Sequence, residues 1–207
     1  MLSLQLITDS AWYTSLMILY GLAGSNGSGK DTFANYLASE YNFLYVSSSD
    51  LLRQEASKRG LTPDREALRT ISAEWRRDGG LGVLIDKAVE VYKKEGGDVA
   101  YSGLVTGSLR NPGEADRIHE LGGKMIWLDA DPKLRYDRIQ SASRGRGAED
   151  NKTYQEFLAE EKAEMQHTGD HATLSMADVK DRCDIFITNE SNDMNVFYKL
   201  VKKTLGL

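Results

Sequence analysis

"GLAGSNGSGKDTFANYLASE", residues 21–40, constrains the fold more than any other stretch of the chain. Gly24, Ser25, Asn26, Gly27, Ser28, Gly29 and Lys30 fill the start of the pattern GxxxxGK[ST]. They lie between an apolar run, "MILYGLAG" (17–24), and a segment where Phe33, Ala34, Leu37 and Ala38 recur at helical spacing. A strand feeding a helix through such a turn lets successive backbone N–H groups curl around an anion. The helix N-terminus adds its partial positive charge, and Lys30 reaches the β- and γ-phosphates of a nucleotide. Asp31 stands where Ser or Thr would ligate Mg²⁺ directly. Two roles stay open for it: holding a water of the metal shell, or pointing away as an acid in the first helical turn. Thr32, the next residue, supplies a hydroxyl that reaches the phosphates.

The rest of the chain alternates strand and helix signals. Strands are predicted at 17–24, 43–50, 98–107, 124–131 and 183–189. Between them, Thr62 and Pro63 read as the start of a helix carrying Leu68, Ile71 and Trp75 on one stripe, broken at Gly79-Gly80. Leu81, Ile85, Ala88 and Tyr92 repeat the stripe up to Gly96-Gly97. "ADRIHEL" and "PKLRYDRIQ" read as helices, a polar helix covers 153–166, and "DMNVFYKLVKKTL" closes the chain as an amphipathic helix. Asp129 and Asp131, beside Pro132, read as helix caps, and Trp75 and Trp127 as core. Strands alternating with helices imply a three-layer α/β domain around a five-stranded parallel sheet, with a helical insert over 48–97 and a short lid over 141–151.

At 207 residues the chain suits one such domain. Its net charge of −5 argues against duplex nucleic acid as a partner, because that binding rests on neutralising many phosphates. A small anion needs only a local basic cluster. Cys183 is the single cysteine, which excludes an internal disulfide and a multi-cysteine zinc site and points to a reducing compartment, the cytoplasm. Residues 1–15 have an apolar start but no basic n-region, and they carry Asp9, so they read as an arm or a misplaced start rather than a signal peptide. No run has the length of a membrane span. His119, His167 and His171 have no spacing that suggests a metal site.

Three further stretches place an arginine at or just after the carboxyl end of a strand, the edge where open parallel sheets bind ligands. They are "SSSDLLR" after the second strand, "TGSLRNPGE" after the third and "DRIQSASRGR" after the fourth. With "GSGKDT" these stretches resemble the adenylate kinase-like nucleoside monophosphate kinases: a phosphate loop, a "GDxLR"-type segment, a "DGxPR"-type segment and an arginine-bearing lid. The likeness runs from about residue 17 to 205 and looks closest to short-lid members of the dephospho-CoA kinase and deoxynucleotide kinase type. "CDIFITNES" is similar to the last strand and adenine-side loop of dephospho-CoA kinases.

The resemblance implies ATP and Mg²⁺ as cofactors and a small phosphate-bearing acceptor. It implies that Arg53 and Arg110 grip the acceptor phosphate, that Arg138, Arg144 and Arg146 close over the donor phosphates, and that Asp50 lies between donor and acceptor. Asn189 would border the adenine. Gly107 matches the family glycine, whereas Thr106 replaces the acid that orients metal-bound waters, a task left to Asp31 or Asp50. A (deoxy)nucleoside monophosphate is the favoured acceptor and dephospho-CoA the alternative. A nucleotide-binding switch and an assembly ATPase are the rivals from other classes. The chain lacks an Asp followed three residues later by Gly and an NKxD string, which counts against the switch. Oligomeric state is not legible.

Overall fold

The computed structural model describes residues 17–141, 152–165 and 169–207. Its centre is β1 (Ile18–Gly24), whose Leu22 and Ala23 are fully buried because neighbours cover both faces of the strand. β2 (Phe43–Ser47), β3 (Gly103–Gly107), β4 (Lys124–Asp129) and β5 (Ile185–Thr188) complete a five-stranded sheet in the order β2-β3-β1-β4-β5, with every pair parallel. From β1 the chain builds outward to β2 and returns through β3, then crosses to the other flank for β4 and β5. The glycine turn after β1 therefore opens where the winding reverses, at the carboxyl edge where α/β sheets bind ligands.

Helices cover both faces, giving the expected three layers. On one face α1 (Lys30–Tyr41) and α10 (Met194–Leu205) bury Phe33, Leu37, Phe197 and Val201 against Leu22, Val105 and Ile126. On the other, α4 (Val83–Lys94), α6 (Pro112–Glu120) and α9 (Met176–Asp181) set Ile85, Ala88, Ile118 and Val179 against Leu19, Leu104 and Trp127. α2 (Ser48–Lys58) and α3 (Arg65–Gly79) share a smaller cluster of Leu52, Ala56 and Ile71, closed by Leu84. The segment expected as one insert is thus divided. α2 and α3 share their own small cluster, whereas α4 belongs to the layer that covers the sheet, because its stripe of Ile85, Ala88 and Tyr92 joins the central core. α5 (Gly97–Ala100), α7 (Pro132–Ser141) and α8 (Tyr154–Met165) complete the set among the described residues.

Several boundaries differ from the sequence reading. The second strand ends at Ser47, and its polar tail is the first turn of α2, where Asp50 lies against the helix dipole. The third strand begins at Gly103 rather than 98, since the left-handed Gly96 and Gly97 start a single helical turn closed by the Tyr101 amide on the Gly97 carbonyl. α3 is capped by Asp64, which accepts from the Ala67 amide at 2.9 Å, so Thr62 and Pro63 precede the helix. Asp131 does cap α7, accepting from the amides of Lys133 and Leu134, but Asp129 faces the glycine turn instead. α9 was not foreseen, although Ser175 followed by Asp178 is a capping pattern, and the two side chains are hydrogen-bonded.

Candidate active site

The glycine turn is shaped by steric necessity. Gly24 has φ +135°, and a Cβ there would lie 1.9 Å from the Leu128 carbonyl oxygen. At Gly27, with φ +79°, it would lie 2.6 Å from the Arg135 carbonyl oxygen. At Gly29, with φ +103°, it would meet the Asn189 amide nitrogen at 2.9 Å. Only glycine fits these left-handed, crowded positions. The result is a concave backbone loop leading into the first turn of α1, whose amides have no acceptor within the helix. That is the geometry and donor chemistry a polyphosphate requires. Lys30 Nζ donates to the carbonyls of Gly24 at 2.8 Å and Ser25 at 2.6 Å. Burial pushes its ammonium down to about 7, and Arg110 adds to the shift against the opposing pull of Asp31 and Glu164.

The turn is braced from its far side. Ser25 Oγ donates to Asp129 Oδ1 at 2.8 Å. Asn189 lies 5% exposed and donates from Nδ2 to the Ser28 carbonyl at 3.0 Å. Arg138 donates to the carbonyls of Asn189 (3.0 Å) and Ser191 (2.7 Å) and to Asn192 Oδ1 (2.9 Å). In this structure Arg138 and Asn189 therefore hold the loop after β5 against the phosphate loop. Arg144 and Arg146, with most of the expected lid, lie outside the described residues.

Asp31 accepts a hydrogen bond from the Tyr45 hydroxyl at 2.8 Å, an orientation the sequence left open. Burial first, then the Asp31 charge, raises the Tyr45 phenol, so Tyr45 stays protonated and remains a donor. No group of three or more His, Cys, Asp or Glu side chains suited to a metal occurs among the described residues. The oxygens at the start of α1, from Asp31 and Thr32, are the hard donors that Mg²⁺ prefers, and it takes few protein ligands beside phosphate and water.

Where the resemblance seats an acceptor, Asp50 and Arg53 pair with each other at 2.6 Å on the exposed first turns of α2. Arg110 is held more firmly. Its amide and that of Asn111 donate to Glu114 Oε2 at 2.8 and 3.1 Å, while Glu114 Oε1 accepts from Arg76 at 2.6 and 3.1 Å, with both side chains buried. The Arg110 side chain pairs with Glu164 of α8 at 2.9 Å. Gly24, Ser25, Asn26, Arg65, Arg110 and Trp127 help to line one cleft, together with Phe157, Glu160, Glu161 and Glu164 of α8. Asp50 and Arg53 are not in its lining.

Five buried side-chain polar atoms lack a hydrogen-bond partner among the described residues: Ser28 Oγ, Ser48 Oγ, Thr106 Oγ1, Trp127 Nε1 and Asn189 Oδ1. Each lies in a different strand or at the start of the segment directly after it, Ser48 opening α2 after β2. Buried polar groups are normally paired, so this concentration at one end of the sheet marks a place built for a ligand or ordered water. Thr106, which stands where the resemblance called for an acid, is one of them.

Sequence reasoning missed Arg76, Glu114 and Arg135. The pattern Asn111-Pro112-Gly113-Glu114 is a readable capping box, and the structure contains it. Arg76 and Arg135 gave no signal, because their burial depends on partners 38 and 26 residues away, Glu114 and Glu161.

Residues 23–155 match the family described as AAA domain, and the chain belongs to that family of phosphate-loop proteins. A UPF0200 protein of Pyrobaculum aerophilum is 31% identical over 89% of this chain and 94% of its own length. Another, from Pyrococcus horikoshii, is 30% identical over 89% and 94%. A cytidylate kinase of Haloarcula marismortui is 25% identical over 79% of this chain and 73% of its own. Among solved structures, shikimate kinase from Bacteroides thetaiotaomicron superposes with a TM-score of 0.61 at 15% identity, covering 92% of this chain and 99% of that one. The fold is that of the P-loop kinases.

Proposed function

We propose that the protein is an ATP-dependent phosphotransferase that moves the γ-phosphoryl group onto a small phosphate-bearing acceptor, with a (deoxy)nucleoside monophosphate as the acceptor the site suits best. The observation that carries this reading is the shared cleft. Gly24, Ser25 and Asn26 of the glycine turn line the same cleft as Arg110, whose charge also reaches Lys30, which supports a donor polyphosphate and a second anion meeting there. The likeness to a cytidylate kinase points the same way. The single cysteine suits a cytoplasmic enzyme, and no helix of the described residues is long and apolar enough to cross a membrane.

In this reading the amides of the glycine turn and Lys30 hold the β- and γ-phosphates, and Arg110 turns the acceptor's oxygen toward the γ-phosphorus. Phosphoryl transfer depends on positioning and charge neutralisation more than on covalent work by the protein. Bound Mg²⁺ would supply further neutralisation, with Asp31 and Thr32 the residues nearest to hold it. Gly107 keeps the role the resemblance assigns, Arg138 and Asn189 act through the loop they brace, and Arg53 would have to leave Asp50 to reach the acceptor.

The test is ADP release from Mg·ATP with each nucleoside and deoxynucleoside monophosphate in turn, with dephospho-CoA, and with no acceptor. Strong stimulation by one monophosphate is the expected result. Equal slow release in every case would sink the kinase reading and favour a switch or an assembly ATPase. Asp50→Asn separates the two acceptor classes. A phosphate nucleophile, already ionised, needs no base and retains near-normal turnover, whereas a hydroxyl acceptor such as dephospho-CoA would lose it.

A further inference from the structure

α8 carries a row of glutamates into the cleft, and each rests on an arginine of another element. Glu160 meets Arg65 of α3 at 3.2 Å, and Glu161 pairs with Arg135 of α7. Glu164 is the focus. Its carboxylate lies 2.9 Å from Arg110 and 3.4 Å from both Arg65 and Arg69, with its side chain 16% exposed. Burial alone would push this carboxyl up, but Arg110 and Arg65 outweigh that and hold it below its ordinary value.

Two monoanionic carboxylates, Glu164 and the Glu160 that also meets Arg65, face three guanidinium groups and leave them an excess of positive charge. A phosphate monoester, with three terminal oxygens and nearly twice the charge of one carboxylate, matches them well. The same place lies within electrostatic reach of Lys30, which senses both Arg110 and Glu164. An anion seated there would therefore stand beside the donor cradle.

We infer that Arg65, Arg69 and Arg110 form the seat for the acceptor's phosphate, and that Glu164 occupies this seat as an internal stand-in which the acceptor must displace. The inference rests on the phosphotransferase reading for the word acceptor, but the anion seat can be tested without it. Displacement moves Glu164 off the three arginines, so the last turn of α8 yields as the acceptor arrives. A cleft without substrate is then partly neutralised and shielded from stray anions. This also assigns a function to Arg65 and Arg69, which carry no motif.

The experiment is calorimetric titration of the full chain with inorganic phosphate, and separately with each nucleoside monophosphate, for wild type, Glu164→Gln, Arg65→Ala and Arg69→Ala. Thermal midpoints and ATP affinity are followed in parallel. Glu164→Gln keeps the shape and removes the competing charge, so it is expected to bind phosphate about tenfold more tightly than wild type. Arg65→Ala and Arg69→Ala are expected to bind it at least several-fold more weakly, with ATP affinity unchanged. If Glu164→Gln weakens phosphate binding or leaves it alone, Glu164 is a structural strut and the inference falls. If either arginine variant binds phosphate like wild type, that arginine is not part of the seat, and the inference falls in that form. ADP release in the same variants tests the other reading. Phosphate binding that follows the expected pattern with no stimulated ADP release would keep the seat and remove the kinase.

Discussion

At Gly24 one added methyl group would press to within 1.9 Å of the Leu128 carbonyl, while across the same cleft the Arg110 side chain is met by a Glu164 carboxylate at 2.9 Å. The donor side is shaped by backbone and excluded volume, and nothing in it can be exchanged. The facing flank is shaped by ion pairs between separate elements, and at its rim the Glu164 pairs with Arg65, Arg69 and Arg110 are ones that a competing anion would replace in the proposed reading. Close packing has one solution, whereas a guanidinium accepts any oxyanion of suitable geometry. In the proposed reading, the phosphate loop that would hold the donor is thus fixed, and the flank that would select an acceptor is adjustable.

The comparison breaks most sharply at the buried pair under Arg110. Arg76→Met leaves Glu114 buried without its partner and is expected to cost about 3–5 kcal/mol in denaturant unfolding. If the loss is under about 1 kcal/mol, the acceptor flank is not anchored through α3. Next comes Gly24→Ala, which has to displace β4 backbone and is expected to destabilise by about 3 kcal/mol while abolishing the thermal shift produced by ATP. Retained ATP binding in that variant would mean that the donor cradle is as adaptable as the other side.

A smaller effect follows from Lys30. Because burial lowers it to about 7 from an ordinary 10.5, the unfolded state holds the proton that the folded state has lost across that window, and stability from this group rises with pH there. Bound phosphates favour the charged form, so ATP binding takes up roughly one proton at pH 8.5, and affinity falls as pH rises from about 7 to 10. Titrations in buffers of different ionisation enthalpy measure the uptake, and Lys30→Arg, permanently charged, should show none. The smallest expected effect is at the exposed Asp50–Arg53 pair, where Arg53→Ala should change stability by less than about 1 kcal/mol. A larger loss would show that this pair supports the acceptor flank as Arg76 does.

The donor half of the site could be read directly from the chain, because its determinants are contiguous. Gly24 to Lys30 form one turn, and the strand and helix around it are fixed by local periodicity. The acceptor half was legible only in part. Arg110 was found through its segment, and the structure places it in the cleft. Asp50 and Arg53 were found by the same kind of signal, yet they pair with each other away from the cleft lining. Arg65 and Arg69 were invisible, since a helix surface with several arginines looks solvated until another helix is laid upon it. The boundaries of the second and third strands were misjudged where polar or glycine-flanked residues suit a helical turn as well as a strand end.

The sequence by itself determined the alternation of elements, the parallel sheet and the phosphate loop, because hydrophobic period and glycine spacing act over a few residues. Tertiary structure alone decided that Asp31 turns to Tyr45, that Asn189 and Arg138 brace the loop, and that the glutamates of α8 fall on arginines drawn from α3, α7 and the loop after β3. Those choices depend on polar and charged groups 14 to 161 residues apart in the chain, and their interactions follow distance in space, which only the packed fold sets.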